Sequence, residues 1–177
     1  MHRHTLLNLL AAYSPADEQE AAMHRQTVEF VTHHPACFER TLLTGHVTGS
    51  ALITSPDRQQ IVLIHHRKLD RWFQPGGHCD GDPDVQGVAR REAEEETGLT
   101  RLEALSGAIF DLDVHEIPAR GEEPAHLHYD IRFLFEADPQ EPFQATAETK
   151  EIRWVTLEEV NRFSDSSSVL RMISKIK

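Results

Sequence analysis

The chain has 177 residues, of which 39% are hydrophobic and 27% charged, the composition of one globular domain with a sizeable core. Lys and Arg number 18 against 29 Asp and Glu, and the formal net charge of −11 argues against nucleic acid or an anionic membrane surface as a partner. The same charge repels a small polyanionic substrate unless a cation neutralises the site, and a bound metal is the obvious candidate.

The first stretch, TLLNLLAA (5–12), has leucines at helical spacing and reads as a short amphipathic helix. Asn8 interrupts it and no clear cleavage site follows, which disfavours a secretion signal. Ser14-Pro15, with Asp17 three residues after the serine, predicts a second helix from Pro15 to about Thr32, ended by His33-His34-Pro35. Residues 1–38 therefore read as a helical extension that either packs on the main domain, residues 39–177, or supplies a homodimer contact. Cys37 and Cys79 match no metal spacing and read as free thiols of a reducing compartment, the cytoplasm by default. No apolar run approaches transmembrane length.

Strand signals begin at Gly45. HVTGSALI (46–53) and IVLIHH (61–66) flank a turn, and a short segment at Trp72–Gln74 leads into Pro75-Gly76-Gly77. Asp82-Pro83 opens a helix as cap and first-turn residue, and Gly98 closes it. Further strands are expected near 102–111, 126–136 and 151–155, with 113–125 as a loop or flexible hairpin. Thr156 with Glu159 suggests a capping box for a helix to about Phe163, and a last helix starts near Ser166. Strands and helices mix without strict alternation, which predicts an α+β fold with a mixed sheet between helices.

The helix before Gly98 is unusual. With Glu92 set at zero and 100° per residue, Val85, Val88, Ala89, Glu95, Glu96 and Leu99 all fall within about 60° of it, and Glu94 lies on the far side. Three acids thus continue the apolar stripe that faces the sheet. Glu92, Glu95 and Glu96 are mutual neighbours at i, i+3 and i+4, close to a helix C-terminus where the macrodipole disfavours anions. Such a cluster calls for cations, and hard oxygen ligands suit Mg²⁺ or Mn²⁺. The plain alternative is a polar helix whose acids pair with Arg90 and Arg91.

Residues 77–99 resemble the Nudix box: a glycine, five residues, a glutamate, seven residues, then Arg-Glu-apolar-x-Glu-Glu-x-Gly-apolar. Gly77 starts the pattern and REAEEETGL (91–99) matches its second half at every specified position. The first glutamate is replaced by Pro83, flanked by Asp82 and Asp84, either of which could take over a contact to Arg91. The resemblance extends over roughly residues 45–163, including a late tryptophan in EIRWVTLEEV (151–160).

The resemblance implies a Nudix-type α+β fold and metal-dependent hydrolysis of a diphosphate linkage in a nucleoside diphosphate derivative. A nucleotide sugar, an ADP-ribose-like compound or a nucleoside triphosphate would serve as substrate. Carried over by position, Glu92, Glu95 and Glu96 bind Mg²⁺ or Mn²⁺ with the Gly76 carbonyl. Glu92 doubles as a possible base, Arg91 orients a glutamate, and Glu148, or failing that Glu151, is the later-loop acid. The alternative is a non-catalytic nucleotide- or metabolite-binding regulator on the same fold, which the intact glutamates disfavour.

Other residues are more ambiguous. In HLHYDIRFLF (126–135), Leu127, Tyr129, Ile131, Phe133 and Phe135 form an apolar face, and His126, His128, Asp130 and Arg132 share the other. That polar face suits either a solvated sheet surface or the lining of a substrate cleft, with Arg132 reaching a phosphate. His78, beside the Gly-Gly turn, is expected near the phosphates. Trp72 suits either a base-stacking surface or the core. Arg67, Lys68 and Arg71 suit either anion steering or a solvated turn.

Overall fold

The alternating segment 126–136 lies inside an eight-stranded mixed sheet. The computed structural model describes residues 2–67, 70–144, 146 and 149–176. In chain order its elements are α1 (His4–Ala12), α2 (Glu18–His33), β1 (Gly45–Thr54), β2 (Gln60–His66), β3 (Arg71–Phe73), β4 (Gly76–His78), α3 (Val85–Thr97), β5 (Glu103–Ala104), β6 (Asp111–Ile117), β7 (His126–Glu136), β8 (Thr149–Thr156), α4 (Val160–Phe163) and α5 (Ser167–Lys175). The strand order is β3-β2-β1-β7-β5, with β4 also on β1, β6 on β7 and β8 on β2. The α+β class and the mixed sheet between helices are as the sequence suggests.

The centre is a parallel pair, β1 with β7, in unbroken register from Gly45↔Leu127 to Thr54↔Glu136. Both strands are buried along most of their length, so each needs cover on two faces. On one face Val47, Ala51, Ile131, Phe133 and Phe135 share a core with Val85, Val88, Ala89 and Ala93 of α3. Gly49 is the close-approach point: a Cβ there would lie 2.7 Å from the Val85 carbonyl oxygen. On the other face Leu52, Ile61, Leu63 and Val155 pack against Val160, Val169 and Met172 of α4 and α5.

The first 38 residues are built into this body. Leu6, Leu10, Phe30 and Val31 join the same core as β1 and α3. Phe30 stacks on Tyr129 of β7, centroids 4.0 Å apart. The connector is pinned to the sheet and to the loop before α3 by Val47 N–H donating to the Cys37 carbonyl (2.7 Å) and Gly81 N–H to the Phe38 carbonyl (3.0 Å). Cys37 and Cys79 are buried and unbridged. Among the described residues, no helix is long and apolar enough to cross a membrane.

Several boundaries differ from the sequence reading. α2 starts at Glu18, because Asp17 rather than Ser14 is the N-cap and its carboxylate accepts the Glu20 N–H. α3 starts at Val85 with Asp84 as its cap, so Pro83 precedes the cap. The strand expected at 102–111 shrinks to β5, while residues 111–117 form β6 and pair with β7 over Asp111↔Arg132 to Ile117↔His126, so the segment 113–125, expected as a loop or flexible hairpin, starts as the first arm of a hairpin.

Candidate active site

Helix α3 carries the acids, and its ends are fixed by local chemistry. Asp84 accepts the Gly87 N–H at 3.1 Å, and Asp82 accepts the Asp84 N–H at 3.0 Å. At the other end Gly98 takes φ 75° and returns its N–H to the Glu94 carbonyl at 2.8 Å, the left-handed stop that glycine adopts without steric cost.

Two of the three glutamates close on the glycines of β4. Glu96, 9% exposed, accepts the Gly76 N–H on Oε2 at 2.9 Å. Glu92 lies against Gly77 so closely that a Cβ on that glycine would fall 2.2 Å from its Oε2. Glu95 is exposed on the same helix, so the stripe expected to face the sheet does so through Glu92 and Glu96 only. Arg91 pairs with Asp82 at 3.4 Å, the substitute contact suggested by Pro83, whereas Asp84 is used as the cap.

The other candidates are placed differently. His78 alternates with Gly77 along β4, so its side chain lies on the face opposite α3. There it meets His46 and His128, ring centroids 5.0 and 5.2 Å away, across the sheet from the glutamates. Arg132 is 2% exposed, and its guanidinium is occupied by Asp130 (2.7 Å), Asp111 (3.1 Å) and Ser168 (3.3 Å). It faces a buried ion network instead of a substrate cleft, because α5 covers that side of the sheet. Trp72 sits in the second core, stacked on His65 at 4.9 Å and edge-on to Phe163 at 5.3 Å. Glu148 and Lys68 lie outside the described residues; Glu151 pairs with Arg153.

The polar face of β1 and β7 is the part sequence reasoning understood least. Its matched pairs run His46↔His128, Thr48↔Asp130, Ser50↔Arg132 and Leu52↔Leu134, from imidazole through ionic to apolar. Thr48 and Ser50 hydroxyls donate to Asp130 at 2.9 and 2.7 Å. Ser50 also backs the site directly, since a Cβ on Gly76 would fall 2.2 Å from its Oγ. From Arg132 the network passes to Asp111, which receives Arg171 (2.8 Å) and Lys175 (2.6 Å), and Lys175 continues to the fully buried Glu20 of α2. Burial alone would raise the Asp111 carboxyl, but Arg171, Arg132 and Lys175 together hold it below the usual carboxylate range.

The α3–β4 junction suits a hard dication. Its side-chain donors are carboxylate oxygens, and the bare Cα of Gly77 admits the Glu92 carboxylate, which any side chain there would displace. Magnesium keeps several waters and needs only one or two protein carboxylates, so an exposed Glu95 beside the anchored Glu92 and Glu96 is compatible with it.

A family model described as NUDIX domain matches residues 45–175. The probable DHNTP pyrophosphohydrolase of Lactococcus lactis subsp. cremoris (strain MG1363) is 30% identical over 114 residues, 63% of this chain and 63% of that protein. The chain thus spans less than two-thirds of that relative's length. The C. elegans Ap4A hydrolase, in a binary complex, superposes with a TM-score of 0.59 at 19% identity, over 73% of this chain and 93% of that one. The E. coli dihydroneopterin triphosphate pyrophosphohydrolase gives 0.58 at 18%, over 73% and 92%. At such identities the structural likeness speaks for the fold.

Proposed function

The chain belongs to the NUDIX domain family, and from that premise we propose that it hydrolyses a diphosphate linkage in a nucleoside diphosphate derivative or a related triphosphate, using Mg²⁺ or Mn²⁺. The observation that carries this reading is the pair of carboxylates, Glu92 and Glu96, held against the two glycines of β4. Like charges at that spacing repel, and a bound dication would relieve them.

When bound, the dication neutralises phosphate charge and makes a bound water more acidic. The chain's residues do the positioning. Glu96 fixes the Gly76 amide and with it the entry of β4. Glu92 and Glu95, one helical turn apart, offer further carboxylates beside it, and Glu92 is assigned the proton of the attacking water. Phosphoryl transfer depends on such positioning and charge neutralisation more than on covalent help. With a net charge of −11, the protein gives a polyanion little other attraction.

The test is a substrate panel with Mg²⁺ or Mn²⁺: dihydroneopterin triphosphate, nucleoside triphosphates, diadenosine tetraphosphate, ADP-ribose and nucleotide sugars, followed by phosphate or pyrophosphate detection. The expected result is turnover of at least one compound, abolished by chelator. Glu95→Gln and Glu96→Gln should each lower kcat/KM by about 10²-fold or more, the size of losing one preorganised electrostatic group. Wild-type rates in both variants would sink the reading.

A further inference from the structure

On the face of the sheet away from α3, five imidazoles, His46, His78, His115, His126 and His128, gather at one end of the β1–β7 pair. Among the described residues, the one group of three metal-capable side chains whose donor atoms all lie within 4.8 Å of one another is His46, His78 and His128. We propose that His46, His78 and His128 form a second metal site, taking a late first-row transition dication of the Zn²⁺ class through three imidazole nitrogens.

His46 supplies the first argument. It is 1% exposed, and neither ring nitrogen makes a well-formed hydrogen bond, the Leu42 backbone giving at most a weak one. A buried imidazole with two poorly satisfied nitrogens is costly, and a metal bond on one of them removes part of that cost. The strands supply the second. β1–β7 register sets His46 beside His128, and β4, paired to β1 at Thr48↔His78, brings in the third ring. Three strands that are far apart in sequence thus each contribute one donor to one point.

His126 supplies the third. Its Nδ1–H donates to the Pro124 carbonyl at 2.9 Å, which fixes the tautomer and leaves Nε2 to accept from His128 Nε2–H at 3.3 Å, with the Glu123 carboxylate 3.9 Å away. Hydrogen bonds to the far nitrogen of a metal-ligating histidine commonly fix its ring, and His126 is placed to orient His128 in this way.

The chemistry separates this site from the carboxylate one. Imidazole suits Zn²⁺, Co²⁺, Ni²⁺ or Cu²⁺, and Mg²⁺ prefers oxygen. Tetrahedral zinc at about 2.0–2.1 Å per bond sets nitrogens about 3.4 Å apart, and the three donors already lie within 4.8 Å of one another. Such an ion would clamp β1, β4 and β7 one residue beyond Gly77.

The experiment uses chelator-treated full-length protein in millimolar Mg²⁺ and titrates Co²⁺, whose tetrahedral nitrogen complexes absorb strongly in the visible. The expected result is one equivalent bound, displaced by Zn²⁺ and not by Mg²⁺, unchanged in Glu95→Gln and weakened at least tenfold in His78→Gln and His46→Gln. Histidine-ring NMR of the wild-type protein with Zn²⁺ covers the case in which His46→Gln does not fold, and three ring systems should shift. A folded wild-type protein that takes up no Co²⁺, or uptake that His78→Gln leaves intact, would overturn the proposal.

Discussion

Gly77 and Glu92 press against each other across the gap between β4 and α3, and the neighbouring glycine does the same toward Ser50. The two positions should fail differently. A Cβ on Gly77 meets the flexible end of Glu92, 2.2 Å from Oε2. Gly77→Ala should therefore keep its melting temperature within a few degrees while hydrolysis falls by about 10²-fold, the scale of a misplaced catalytic group. A Cβ on Gly76 instead falls 2.8 Å from the Ser50 Cα, which is backbone. Gly76→Ala should lose about 1–3 kcal/mol of stability, as overpacked sites do. Thermal melts and steady-state kinetics on the same samples separate the two. At this scale Glu92, Glu96 and Gly77 were legible because a helical wheel and a spaced motif carry them. His46 was not, because its partners come from strands β4 and β7 and only the pairing register reveals them. Arg132 was misplaced for a related reason. Alternation shows which residues share a face but not which helix will cover it.

Helix α3 is positioned by its ends as much as by its apolar stripe. Gly98 stands at φ 75° with a built Cβ only 2.5 Å from Gln144 Cβ, so both backbone and packing demand a glycine. Gly98→Ala should cost about 1–2 kcal/mol from the left-handed backbone alone, more with the crowding, and urea denaturation at pH 7 checks it. The stop was readable in the sequence. The start was not, because Asp82 and Asp84 are both plausible caps and Pro83 fits after the first of them. β6 was missed because Asp111, Asp113, His115 and Glu116 make a polar run ahead of Pro118. Its pairing with β7 and the cations of α5 overrule that local impression.

Across the whole molecule, the buried ions tie the first helices and the last one to the middle of the sheet. Glu20 of α2, Asp111 of β6, Arg132 of β7 and Arg171 and Lys175 of α5 form one connected group. Because the folded Asp111 carboxyl titrates below its unfolded value, its contribution is present above about pH 4 and is lost as pH falls through the folded value. Asp111→Asn should lower stability at pH 7 by about 3–5 kcal/mol, since it strands buried cations, and should flatten the loss of stability below about pH 4. Urea melts from pH 2 to 7 test both parts.

The parallel seam between β1 and β7 also sets a timetable. Thr48 and its bonded partner Asp130 are 82 residues apart in the chain. During synthesis β1 must emerge with its polar and apolar faces uncovered and wait for β7, while loop closure over that span is slow. The hairpins can form early, but the middle of the sheet is zipped last. A nascent chain of this kind spends its first seconds with an open strand edge, when aggregation or a chaperone's grip competes with folding.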